Sequence, residues 1–326
     1  RAVDESRTEE KYYDRYIDPI YEGFNKDFTC LKLQINYSNS NIKHKEITYC
    51  LNLPLIFKFK RKLLLAKKID LKYISDLCAK YYKLTRYDLS IEWVRTQLVN
   101  IEISSIYFES LFKMMQPKVI FMVWYHSPEH MGIIKAAKKL NIKTVDVQHG
   151  VPRKYHPSYF YWSNVPKDGY DLLPDYFWCK GENTVNQYFN SNNKHSINHH
   201  YPILGGELLY NYYKKQNISE IDSENYIDFK LLINKYDKVI LLALTSIDLP
   251  FGNKALFNLP THVVSAMKNS PDNWLWLVRL HPSYVSTHLE PLINYIKELN
   301  INNIEIRKTS IIHLLDLLKN VDFLLA

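Results

Sequence analysis

Residues Lys118–Gly150 read KVIFMVWYHSPEHMGIIKAAKKLNIKTVDVQHG, and this stretch decides the fold. Val119 to Tyr125 is a continuous apolar run rich in β-branched and aromatic residues, the pattern of a strand buried on both faces. Ser127 suits a helix N-cap, Pro128 the first helical position, and Glu129 the first turn, where the helix dipole favours a carboxylate. Met131, Ile134, Ala137 and Leu140 recur at helical spacing, Asn141 closes the helix, and Lys143–Val147 is a second strand. A strand, a crossover helix and a parallel strand bring the loops after both strands to one carboxyl edge. In open α/β sheets that edge binds ligands. Glu129 and His149 are therefore expected to face one crevice.

The same grammar continues outward. Downstream, Lys238–Leu244, Trp274–Leu280, Ile304–Ile306 and Val321–Leu325 read as strands, with helices at about Leu259–Asn269, Leu289–Leu299 and Ile311–Lys319 between them. Upstream, Phe28–Tyr37 alternates like a strand, and Ile69–Leu84 and Ile91–Met115 carry helical stripes. Tyr176–Cys179 is a further short strand before a helix at Asn183–Phe189. Alternating strands and helices predict an α/β chain with parallel sheets. The expected architecture is two Rossmann-like domains facing a cleft, residues 1–205 with a helical or irregular start and residues 206–326. Because the sequence stops at Ala326 directly after a strand, the second domain is expected to lack part of its wall.

Composition narrows the function classes. At 326 residues and 46% hydrophobic content the chain is globular and long enough for two domains. No apolar run reaches the roughly 18 residues of a membrane span. It opens at Arg1 without a signal-peptide core and reads as a trimmed segment. Cys30, Cys50, Cys78 and Cys179 lack metal or redox spacing and read as free thiols of a reducing cytoplasm. Only 8 glycines occur, with no GxGxxG or Walker loop, which removes the main support for dinucleotide enzymes and P-loop kinases. The formal charge of +8 suits an anionic partner. Without a zinc finger, helix-turn-helix or RNA-binding strand motif, nucleic acid is not that partner. Lys58–Lys62 and Lys67-Lys68 flank Leu63-Leu64-Leu65, either as a solvated helix face or as a patch docking at the periphery of a membrane.

The chemistry-bearing residues gather at expected strand ends. His149, in Gln148-His149-Gly150, follows a strand directly, and Gly150 permits a sharp turn or positive φ that leaves the imidazole at the sheet edge. Gln148, Gly150, Arg153, Lys154 and His156 complete an acceptor- or anion-binding set. Glu129 is a candidate general base for an acceptor hydroxyl. The loop from Val151 to Asp175 is long, hence expected to be functional; Asp168, Asp171 and Asp175 are its acids, and Asp168 is the candidate second catalytic carboxylate, a nucleophile if the reaction is a double displacement. Arg279 and His281 lie two apart at a strand end and share a face. An Arg fork and an imidazole suit a diphosphate, or a phosphodiester beside a sugar carboxylate, with Ser283, Thr245 and Ser246 contributing hydroxyls. Neither HExxH nor Ser/His/Asp spacing occurs, so no metal or hydrolase centre is expected.

TVDVQHGV, the YHPSY loop, LLPDYFWCKGE, WLVRLHPS and the closing VDFLLA together resemble bacterial capsule and lipopolysaccharide Kdo transferases, glycosyltransferases of the GT-B class in surface-polysaccharide biosynthesis. The resemblance spans roughly Val119–Glu182 and Lys238–Ala326. It implies metal-independent transfer of a sugar, Kdo from CMP-Kdo, to a lipopolysaccharide O-antigen or capsule glycan, with no cofactor. Residues 1–205 would then be the acceptor side and 206–326 the nucleotide-sugar side. Arg279, His281 and Ser283 would hold the donor, and His149 and Glu129 would lie nearer the transferred sugar. The expected partners are the nucleotide-sugar donor and a lipid-linked or oligosaccharide acceptor, at the cytoplasmic side of the inner membrane. Sialyl- or glycerophosphotransfer on the same scaffold is the alternative. So is a non-catalytic module in which Tyr155, Tyr159, Phe160, Tyr161 and Trp162 stack on an anionic glycan.

Overall fold

The computed structural model describes residues 14–35, 48–51, 71–150, 152, 156, 158–162, 165–192, 199–208, 210, 224–244, 259–281, 284–312 and 314–325. The chain divides near residue 212 into two compact units, Arg7–Tyr212 and Tyr213–Ala326. In chain order the first unit contains α1 (Asp18–Phe24), β1 (Lys32–Ile35), β2 (Thr48–Leu51), α2 (Leu71–Thr85), α3 (Ile91–Met115), β3 (Val119–Val123), α4 (Pro128–Lys139), β4 (Lys143–Val147), β5 (Tyr176–Cys179), α5 (Glu182–Asn192) and β6 (Tyr201–Leu204). The second contains α6 (Glu224–Ile233), β7 (Lys238–Ala243), α7 (Thr261–Lys268), β8 (Trp274–Arg279), α8 (Val285–Glu298), β9 (Ile304–Glu305), α9 (Arg307–Ile311), α10 (Leu314–Leu318) and β10 (Phe323–Leu325). Both units are α/β with parallel sheets. Among the described residues no helix is long and apolar enough to cross a membrane.

The first sheet runs β3-β4-β5-β6 in sequence order, every pair parallel, so all four carboxyl ends share one edge. The α4 crossover is locally encoded at both ends. Ser127 Oγ accepts the His130 N–H at 3.2 Å, and Pro128 occupies the first turn. At the other end Asn141 takes φ 55, and the Ile142 and Asn141 N–H groups bond the carbonyls of Ala137 and Lys138. This is the two-bond left-handed cap that stops a helix and turns it into the next strand.

β3 departs from its sequence pattern. It is an edge strand of its sheet, so Val119 is exposed rather than buried on both faces. It also ends at Val123, before Tyr125. Trp124 takes φ 66, and the Tyr125 N–H turns to Asp146 Oδ1 on β4 at 3.1 Å. A side chain on the neighbouring strand thus ends β3.

α3 and α4 cross closely because small residues meet there. A Cβ on Gly132 would lie 2.4 Å from Ser104 Cβ and 2.7 Å from the Ile101 carbonyl oxygen. Ser104 Oγ also donates to the Glu129 carbonyl at 2.8 Å. Since the Ile101 obstacle is backbone, Gly132→Ala must push the helices apart. Equilibrium denaturation is expected to show a loss of about 1–3 kcal/mol despite alanine's better helix propensity. A neutral or stabilising result would mean that the helices separate freely.

The loop aromatics serve the core. Phe160 is buried, Tyr159 and Trp162 pack on Phe177, and Trp162 also meets Tyr188. Of the five aromatics expected to stack on a glycan, Tyr161 is exposed, while Tyr155 lies outside the described residues. The described loop is therefore packing material, with no aromatic platform.

In the second unit the sheet order is β10-β7-β8-β9, again parallel. Alternate residues of β7 and β8 feed opposite cores. Ile240, Leu242, Trp276 and Val278 pack with Leu292 and Ile296, whereas Val239, Leu241, Leu275 and Leu277 pack with Phe229 and Leu317. That is a sheet covered on both faces, as its apolar runs require. The order reverses at β7, so the ligand-binding crevice of a doubly wound sheet belongs at the carboxyl ends of β7 and β10. The single helix expected over Ile311–Lys319 is two, α9 and α10, because Ile312 is extended at φ −65, ψ 142.

Candidate functional site

The carboxyl edge of the first sheet collects its chemistry through a buried acid. Asp146, in the middle of β4, is 1% exposed, and burial pushes its carboxyl up to about 7. It accepts the Tyr125 N–H on one oxygen and the Tyr159 hydroxyl, at 2.9 Å, on the other. One side chain thereby ties the exit of β3 to the loop that follows β4. Asp146 was readable in TVDVQ as a charge inside an apolar strand, an arrangement that needs partners.

Four histidines gather on this scaffold: His126 after β3, His130 in the first turn of α4, and His149 and His156 after β4. The His126 and His156 rings are 6.2 Å apart. Burial, and then the neighbouring His156, His130 and His149, push His126 down to about 4. Its Nδ1 is buried and has no hydrogen-bond partner among the described residues. Burial also holds His130 at about 4, its Nδ1 2.9 Å from Ser127 Oγ, and lowers His156, whose Nδ1 accepts the Ser158 N–H at 3.3 Å. At neutral pH, His126, His130 and His156 are consequently neutral imidazoles.

His149 is sandwiched between aromatic rings, with Tyr16 at 5.3 Å and Trp124 at 5.9 Å, both near-parallel. The Tyr16 hydroxyl donates to the His149 carbonyl at 2.8 Å. Tyr16 reaches this edge because α1 is anchored by a buried ion pair between Asp18 and Lys32 of β1. Lys180, directly after β5, places its ammonium 5.3 Å from the Tyr16 ring and pairs with Glu207 at 2.6 Å. Tyr16, Trp124, His126 and His130 carry no motif in the sequence. The fold alone gathers them.

The structure brings His149 and His156 together and separates other expected members of the set. Gln148 is not free for a ligand: Nε2 donates to the Gly150 carbonyl at 2.7 Å, and Oε1 accepts the Lys180 N–H at 2.8 Å. Gly150 is not required for conformational freedom, since its φ is outside the left-handed region and a Cβ there would meet nothing within 4 Å. The Gln148 side chain closes that turn instead. Glu129 lies on the face of α4 that carries Gly132 and Ile133, toward α3; its carboxylate makes no hydrogen bond or ion pair among the described residues.

Asp168 sits at the opposite, amino-terminal edge. It lines a cleft of about 230 Å³ with Lys138, Asn141, Lys143, Asp175, His199 and His200. Asp175 holds that loop there, accepting the Thr144 N–H at 2.9 Å and its hydroxyl at 2.8 Å. Asp168 therefore does not join His149 or Glu129 as a second carboxylate.

In the second unit Arg279 and His281 do not form a pair of open ligands. Arg279 Nη1 donates to the carbonyls of Thr309 and Ile312, at 2.6 Å for the latter, bridging the break between α9 and α10. His281 is exposed just past β8, its ring 6.0 Å from that of Tyr284. Arg153, Lys154, Thr245, Ser246, Ser283 and the Lys58–Lys68 patch lie outside the described residues. All four cysteines are free, and among the described residues no three His, Cys, Asp or Glu side chains are placed to hold a metal ion.

No protein-family model matches the chain, and no curated protein does. Among solved structures it is similar to the UDP-GlcNAc 2-epimerase of Methanocaldococcus jannaschii, at 14% identity and TM-score 0.43 over 96% of this chain and 76% of that one. It is similar to the Neisseria meningitidis UDP-GlcNAc 2-epimerase bound to UDP-GlcNAc, at 12% identity and TM-score 0.48 over 95% of this chain and 73% of that one. A putative UDP-N-acetylglucosamine 2-epimerase of Listeria monocytogenes matches at 8% identity and TM-score 0.39, over 69% and 55%. At these identities and scores the likenesses carry no argument about activity.

Proposed function

We propose that the chain is a glycosyltransferase, the reading favoured by the motif resemblance together with the histidine edge of the first sheet. The observation that carries it is His126, neutral at physiological pH, whose buried Nδ1 has no partner among the described residues. Such a nitrogen needs a hydrogen-bond partner, and in the tautomer with the proton on Nε2 an acceptor hydroxyl supplies it. The hydroxyl proton passes to Nδ1 as its oxygen bonds the anomeric carbon. The bond from that carbon to the donor phosphate breaks, and the nucleotide leaves with the electron pair. The imidazolium then returns its proton to water. The exposed side of Trp124 suits the apolar face of a sugar ring. The donor nucleotide belongs at the carboxyl edge of the second sheet, near His281. The donor is a CMP-sugar, CMP-Kdo first, and the acceptor a lipopolysaccharide or capsule glycan.

The test is calorimetric titration of the full chain with CMP, UDP and GDP, alongside a transfer assay with CMP-Kdo. CMP binding lost in His281→Ala, and transfer lost in His126→Ala with CMP binding kept, is the expected pattern. Comparison with Glu129→Gln separates the imidazole from the carboxylate as base. A preference for UDP or GDP would remove Kdo while keeping a nucleotide-sugar enzyme. A folded protein that binds no nucleotide would overturn the proposal in favour of an anionic-glycan-binding module.

A further inference from the structure

α2 buries only one narrow stripe. Ile74 and Cys78, one turn apart, are its buried residues, and they face the neighbouring α3. The adjacent stripe is just as apolar but lies in water: Leu77 is 48% exposed, Tyr81 39% and Leu84 77%. Those three positions, spaced at four and three residues, fall on one side of the helix. The apolar face continues past the helix end through Tyr87, Ile91 and Trp93, all exposed around the α2–α3 turn. Scattered exposed hydrophobics need no explanation, but a contiguous helical stripe continued by a tyrosine and a tryptophan does.

The charge around it is mainly positive, although Asp76, Asp88 and Glu92 are exposed there too. Lys72, Lys80, Lys83 and Arg86 are exposed and make no ion pair among the described residues. Ten of the chain's 42 basic side chains and only two of its 34 acidic ones lie in residues 58–86. This stretch therefore carries the whole formal +8, and the rest of the chain is balanced. An evenly distributed charge would serve solubility. A net charge concentrated in the stretch of sequence that carries an exposed apolar stripe is the composition of an interfacial element, with leucines and aromatics entering the acyl boundary and lysines meeting anionic headgroups.

We propose that the exposed face of α2, with the α2–α3 turn, docks on the surface of an anionic lipid bilayer. The inference is independent of the proposed transfer activity, since it uses none of the histidine edge. The helix lies in the plane of the interface, inserting Leu77, Tyr81, Leu84 and Trp93, while Lys72, Lys80, Lys83 and Arg86 set the preference for negative charge.

The test is co-sedimentation of the full chain with vesicles of phosphatidylcholine alone and of phosphatidylcholine mixed with phosphatidylglycerol. Two variants are compared, Leu77→Glu/Leu84→Glu and Lys72→Glu/Lys80→Glu/Lys83→Glu. All five sites are exposed, and circular dichroism checks that both variants fold. Binding to the mixed vesicles alone is expected, weakened by salt and reduced roughly 10²-fold or more by the charge reversals. Partitioning should also fall at least tenfold in the leucine variant. Failure of the wild-type chain to bind anionic vesicles would overturn the proposal, as would binding unchanged in both variants. Self-association without lipid that Leu84→Glu abolishes would make the face a contact between copies of the chain. Binding to duplex RNA in place of vesicles would make it a nucleic-acid surface.

Discussion

Asp146→Ala is expected to destabilise the first unit by about 3–5 kcal/mol, while Asp146→Asn should stay close to wild type. The alanine leaves the Tyr125 N–H and the Tyr159 hydroxyl buried without their acceptor, and also removes the hydrogen bond from the Trp124 backbone. Each unsatisfied buried donor costs about 1–3 kcal/mol, and the vacated volume adds to that. Asparagine keeps an acceptor for the backbone N–H, and Tyr159 can rotate its hydroxyl to accept from the amide. Since burial already pushes the Asp146 carboxyl up to about 7, its charge is not what the site needs. Urea denaturation of both variants at neutral pH measures the contrast. Two equally damaged variants would assign the role to the carboxylate charge rather than to its acceptor oxygens. The alanine should also release Trp124 from φ 66 and loosen the wall beside His149.

Stability is expected to fall as pH drops from about 6.5 to about 4, with His200 as the clearest single contributor. This imidazole is 1% exposed; Nδ1 donates to the Pro174 carbonyl at 2.7 Å, and Nε2 accepts the Tyr170 N–H at 3.0 Å. The Nε2 bond requires the neutral ring, whereas Nδ1 can donate to Pro174 in either state. Burial lowers its pKa from 6.5 to about 4, so in that window the unfolded chain binds the proton and the folded chain does not. The contribution is complete above the unfolded value and lost as pH falls through the folded one, about 3 kcal/mol in all. His126 and His130 act in the same direction. Asp146 opposes them, because a carboxyl raised to about 7 keeps its proton in the folded state and loses stability as pH rises from about 4 to 7. His200→Gln retains a donor and an acceptor but takes up no proton. Denaturation midpoints collected across this range should show its slope reduced by about one proton. A slope unchanged from wild type would exclude His200 as the linked group.

The local codes were sufficient wherever one segment held all the information. Ser127, Pro128 and Asn141 bound α4 as their chemistry dictates, and Lys143–Val147 and Tyr176–Cys179 are strands over the residues their patterns marked. The continuous apolar runs of β7 and β8 likewise determined a sheet covered on both faces. His149 was legible because it directly follows a strand. Its partners were not, because they come from segments far apart in the chain. Tyr16 arrives from the N-terminal segment by way of the Asp18–Lys32 pair, and His126 through a backbone turn that Asp146 imposes from the next strand.

Tertiary structure also reassigned residues whose types invited a ligand. Gln148 closes a turn, Arg279 bridges two short helices, and Asp168 is held at the far edge by the anchoring of Asp175 to Thr144. Hydrogen-bonding capacity is encoded in the sequence, but whether backbone or ligand uses it depends on which carbonyls and amides the fold brings within 3 Å. The sequence by itself determined the parallel α/β grammar, because periodicity and caps are properties of neighbouring residues. Only the three-dimensional structure decided which polar side chains are spent on the scaffold and which, like His126 Nδ1, have no partner among the described residues.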